Sequence, residues 1–80
     1  MENNSYAPYG IDIADFNKHD LHLNSGDRFI AEDKLGRVYP YTYIGIQPDS
    51  FGYHIIHNEE TGGSSHVELE WFHQRKIRLM

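Results

Sequence analysis

The chain has no cysteine, which excludes disulfide staples and thiolate zinc sites and favours a reducing compartment. It also lacks any apolar run near the roughly 18 residues that a membrane helix needs. The opening MENNSYAPYG carries neither a basic stretch nor an apolar core, so no secretory signal is expected and a cytoplasmic location is. Basic residues are scarce, with 7 Lys and Arg against 12 Asp and Glu, a formal charge of −5. That balance disfavours generic attraction to nucleic acid or to an anionic membrane surface. At 80 residues there is room for one small domain. Such a chain buries only about 60% of its unfolded surface, so its stability is marginal.

The charge is unevenly distributed. Residues 1–26 sum to −3, residues 27–70 to −5, and the last ten to +3 through Arg75, Lys76 and Arg78. Six histidines are present, and protonating all of them would take the formal charge from −5 to +1. Mild acid could thereby change association or solubility, but the expected reading is that exposed histidines simply titrate.

Residues 1–25 form the expected N-terminal arm and residues 26–80 the folded domain. Within the arm, IDIADFNKHDLHL offers a short helix with Asp12 as N-cap and Ile13 and Phe16 on one side, or an extended segment. From Gly26 onward, β-branched and aromatic runs alternate with turn chemistry. DRFIAED predicts a first strand, and residues 38–46 (VYPYTYIGI) a longer second one with Pro40 at an edge or bulge. QPDS then turns the chain into FGYHIIHN, residues 51–58. EETGGSS supplies the next loop. HVELEW predicts a fourth strand, with Val67, Leu69 and Trp71 on the buried face. A short break near residues 72–74 precedes RKIRL, with Ile77 and Leu79 facing in.

Five short strands cannot hide a core as a flat sheet, because one face is left uncovered. With one tight helical turn between its last two strands in HVELEWFHQRKIRL, the region from residue 26 to 80 resembles the small Src-homology-3-like β-barrels at fold level. The expected fold class is therefore mainly β: a five-stranded antiparallel SH3-like barrel with an N-terminal arm. The alternative is an α+β open sheet covered by a helix over residues 11–22. Neither the ALYDY-type motif nor the paired tryptophans of the peptide-binding members are present, since Trp71 stands alone, and their proline-rich ligand is not implied.

Tyr39, Tyr41 and Tyr43 share one face of the second strand, and Val38, Thr42, Ile44 and Ile46 the other. The aliphatic side is the expected interior. It leaves the tyrosines outward or beneath the arm, where they supply rigid contact area with polar tips. The expected function is a non-enzymatic protein–protein interaction module, or a homodimer, using Tyr39, Tyr41 and Tyr43 with Tyr53 and Trp71 as extensions. On this reading, serine at Tyr41 and Tyr43 leaves the fold intact. Two alternatives are weighed against it. One is weak nucleic-acid binding by Arg37, Arg75, Lys76 and Arg78, with the tyrosines stacking on bases. The other is an acidic inhibitor of a nucleic-acid-binding protein, presenting Glu32, Asp33, Glu59, Glu60, Glu68 and Glu70.

Metal and catalytic chemistry have less support, and no cofactor is expected. His54 and His57 are three apart on a strand and point to opposite faces. His19 and His22 with Asp15 could hold zinc only on a helix. His66 or His73 beside Glu68 or Glu70, with Ser64 or Ser65, lacks a nucleophile elbow, and TGGSS lacks the lysine of a phosphate loop.

Overall fold

A computed structural model describes residues 11–12, 22–46 and 53–80 of the chain. The elements are β1 (Ile11–Asp12), β2 (His22–Leu23), β3 (Arg28–Glu32), β4 (Val38–Ile46), β5 (His54–Asn58), β6 (Ser64–Val67), α1 (Leu69–His73) and β7 (Lys76–Leu79). β1 and β2 form a two-stranded antiparallel pair. The others form an antiparallel sheet in the order β6-β5-β4-β3-β7. The mainly-β class holds, and β4 spans residues 38–46 as the sequence predicts.

The sheet is not closed into a barrel. β6 and β7 are its two edges and do not pair with each other. The physical reason lies in the segment between them. Residues 69–73, expected to extend or end the fourth strand, are helical instead. β6 therefore stops at Val67, after four residues. Trp71 and Phe72 are adjacent aromatics, and a strand would send one to each face. A helical turn lets Phe72 drop onto the sheet, fully buried, with Trp71 half-buried beside it. So short a helix has no stability of its own, and burial of Phe72 holds it.

Of the helix expected over residues 11–22, the structure describes only the ends. Asp12 and His22, near its two ends, are strand partners of one another; residues 13–21 lie outside the described residues. Leu23, assigned to the arm by the sequence reading, is fully buried in the core. Among the described residues no helix is long and apolar enough to cross a membrane.

The second strand is turned over relative to expectation. Tyr43 is fully buried and packs with Phe29, Ile56, Phe72 and Ile77 in the core cluster, with Tyr41 partly buried against it. Val38, expected inside, is 50% exposed. A β-bulge decides which residues join the tyrosine side. Tyr43 pairs with Ile56 and Gly45 with Ile55, so that Ile44 is the extra residue and the alternation shifts by one. Ile46 thereby packs against the same core as Tyr43. Gly45 has a φ of +144°, a conformation that side-chain-bearing residues rarely adopt. The bulge thus depends on glycine at that position.

In β5, His54 and Ile56 share the core face, since His54 pairs with Ile46 and Val67. His54 is buried, and its Nδ1 lies 2.8 Å from the Tyr43 hydroxyl. His57 falls on the other face, 2.9 Å from the Ser64 hydroxyl.

Candidate functional site

The turn from β3 to β4 is built around one carboxylate. Asp33 Oδ1 accepts the backbone N–H groups of Leu35 and Arg37, each at 2.9 Å, and Oδ2 accepts Arg37 Nε at 3.1 Å. The Asp33 and Gly36 amides donate to the Arg37 and Asp33 carbonyls, both at 3.0 Å. Gly36, at φ +83°, supplies the left-handed step such a turn requires. The Arg37 backbone N–H does most to lower the Asp33 pKa; desolvation opposes it, and the Leu35 amide and the Arg37 guanidinium add to the lowering. Asp33 is thus a fixed anion fully engaged by its own turn.

Asp33→Ala removes the acceptor for all three donors. We expect faster amide exchange at Leu35 and Arg37 in that variant, with little change in the global unfolding midpoint because the turn is exposed. Exchange rates equal to wild type would mean that the backbone alone holds the turn.

A second cation reaches the same place from the other end of the domain. Arg75, four residues after Trp71, lies with its guanidinium 4.2 Å from the centre of the indole ring and donates to the Trp71 carbonyl at 3.1 Å. Trp71 meets Tyr41 edge-on at 5.2 Å, and Tyr41 stacks on Phe29 at 5.4 Å. Cation–π contact and aromatic packing together orient the guanidinium. Burial raises the Tyr41 phenol pKa above its ordinary value, against the opposing charge of Arg75, so the hydroxyl stays protonated at neutral pH.

Between these two assemblies lies an open recess of about 220 Å³ lined by Ala31, Asp33, Arg37, Tyr39, Tyr41 and Arg75. Ala31 separates Tyr39 from Ile77 in the sheet register, and its small side chain leaves the space that a larger residue would fill.

The structure regroups the residues singled out from sequence. Tyr39 and Tyr41, expected on a partner face, share the recess with Arg37 and Arg75, expected on a separate nucleic-acid face. Tyr43 has no accessible surface through which to meet a partner. Tyr53 precedes β5 and lies at the opposite end of the sheet from Tyr39. Trp71 serves as the support for Arg75 and packs on the core. Lys76 and Arg78 flank the buried Ile77 and so point to the other face, opposite Glu32 and Ile30. The four expected basic residues therefore do not form one patch.

The acidic residues sit on several elements. Glu32 is on β3, Glu59 and Glu60 are in the β5–β6 turn, and Glu68 and Glu70 are at α1. Glu59 accepts the Thr42 hydroxyl at 2.6 Å. Among the described residues no group of three or more potential ligands is placed to hold a metal ion. His19 and Asp15 lie outside the described residues.

Sequence reasoning missed Asp33 as the organiser of a turn and Ala31 as the recess floor. It also missed the Trp71–Arg75 pair. Their i,i+4 spacing was the available signal, legible only once residues 69–73 are read as helix. No protein-family model matches the chain, and comparisons with curated proteins and with solved structures return no match.

Proposed function

We propose that the chain is a non-enzymatic interaction module that docks a protein partner at the recess between the β3–β4 turn and α1. One observation carries this reading: Tyr39, Tyr41, Arg37 and Arg75 converge on a single open recess, and the last two are oriented by Asp33 and Trp71. Tyrosine and arginine are the residue types enriched in protein interfaces and in their energetic hot spots. Pre-oriented side chains lose less conformational freedom on binding, which leaves more of the contact energy as affinity. The lining also favours binding over catalysis. Its one carboxylate is occupied by a turn, and guanidinium groups do not exchange protons near neutral pH.

Affinity capture with the full chain and with the Arg37→Ala/Tyr39→Ala double variant tests the proposal. Both changes are at residues with accessible surface, so circular dichroism spectra are expected to coincide. A partner retained by the wild type is expected to be lost or weakened by about tenfold or more in the variant, the loss of a hot-spot contact. Equal capture by a folded double variant would remove the recess from the interaction.

A further inference from the structure

Resting on that docking reading, we infer that the recess recognises a carboxylate carried by an acidic protein segment, gripped by Arg75 and Arg37. The argument starts from the charges that line it. Asp33 and Arg37 form an ion pair at 3.1 Å, and both Asp33 oxygens already accept hydrogen bonds. The Arg75 guanidinium makes no ion pair with any described residue; it meets the indole face and the Trp71 carbonyl. The lining therefore carries one positive charge in excess, on a chain whose formal charge is −5.

The donors are also of the right shape. A guanidinium offers five N–H donors in a planar fork, and Arg75 commits one of its nitrogens to the Trp71 carbonyl while lying over the indole. A carboxylate matches that fork with two parallel hydrogen bonds. The remaining terminal nitrogens of Arg37, whose side chain is 61% exposed, extend the donor set. The protonated Tyr41 hydroxyl is a neutral group of the same lining.

The same charges choose between anions. A monoanionic carboxylate is attracted by the local excess of one charge. A nucleic acid needs cations spaced along its phosphate backbone, and the lining offers only Arg37 and Arg75. Lys76 and Arg78, which would help to follow a phosphate backbone, face the other side of the sheet.

The test titrates the full chain with four probes: an acetylated tetraglutamate amide, its tetraglutamine counterpart, tripolyphosphate, and an oligothymidylate. Trp71 is the sole tryptophan, so its fluorescence reports on the site directly, and the arginine Nε–H resonances report on the donors. Tetraglutamate is expected to perturb both signals, and tetraglutamine neither. Arg75→Gln is expected to weaken tetraglutamate binding by about tenfold or more, and Arg75→Lys by less, because the lysine keeps the charge and loses the fork. Arg37→Gln provides a second loss that leaves the indole contact in place.

Binding of tetraglutamine equal to that of tetraglutamate would overturn the inference. So would tighter binding of tripolyphosphate or oligothymidylate, or unchanged tetraglutamate binding by folded Arg75→Gln and Arg37→Gln proteins. If partner capture depends on Arg37 and Tyr39 while tetraglutamate fails to bind, carboxylate recognition falls and the docking reading stands. If capture is indifferent to the recess, the docking reading itself falls.

Discussion

Phe72→Ala is expected to leave the chain largely unfolded at 37 °C. The ring is fully buried and touches the core from above the sheet, with centroids 6.0 Å from Phe29, 6.4 Å from Tyr43, 5.7 Å from His54 and 5.0 Å from Trp71. Truncating a buried phenylalanine costs about 3–5 kcal/mol from lost transfer energy and the cavity left behind. A domain of this length has a total stability of about 4–12 kcal/mol at roughly 0.05–0.15 kcal/mol per residue. Small domains sit towards the lower end of that range because they bury a smaller share of their surface. The loss is therefore comparable to the whole. Urea unfolding followed by circular dichroism and by Trp71 fluorescence checks it. Leu69→Ala, in the same helix but 38% exposed, is the matched control and is expected to change the midpoint little. A Phe72→Ala protein whose midpoint stays near that of Leu69→Ala would show that α1 does not close the core.

The same ring explains why the recess depends on the fold. Phe72 fixes α1, α1 places Trp71 against Tyr41, and Trp71 carries Arg75. Sequence periodicity could not reveal this chain of support. In VELEWF the residues Val67, Leu69 and Trp71 satisfy a period of two, but Leu69 begins the helix and only Val67 of the three is buried in strand form. The discriminating feature was Phe72 directly after Trp71, since a one-faced strand has no place for consecutive large aromatics.

The β4 strand shows a different limit. Its boundaries at Val38 and Ile46 were legible from β-branched and aromatic residues between turns. Its orientation was not, because both faces carry apolar residues and alternation is silent on which of two apolar faces goes inside. Tyrosine brings more buried area than valine or isoleucine and takes the interior where its hydroxyl finds a partner, as Tyr43 does with His54. Gly45 within a strand was the available sign of the bulge that moves Ile46 to the tyrosine side. Serine at Tyr43, harmless on the sequence reading, would instead empty part of the core.

Acid is expected to weaken the fold through His54. Its ring is buried against Phe72 and Tyr43, and loss of solvation of the imidazolium lowers its pKa below the ordinary value of about 6.5. With the ring proton on Nε2, the Tyr43 hydroxyl donates to Nδ1 across 2.8 Å. The unfolded chain therefore binds this proton more readily than the folded one, and stability must rise with pH over that interval. His54 imposes no acid penalty well above pH 6.5. The penalty grows as the pH falls from there towards the lowered folded value, and it is complete below it. Urea midpoints between about pH 7.5 and 5 are expected to fall more steeply for the wild type than for the His54→Phe/Tyr43→Phe double variant. The double change removes the titrating ring without stranding the hydroxyl, so the difference between the two profiles isolates His54. Parallel pH profiles would show that His54 accepts its proton in the folded core without penalty. A steeper wild-type profile would instead tie the population of folded, recess-bearing chain to proton concentration, because the core that excludes the imidazolium is the one on which α1, Trp71 and Arg75 are seated.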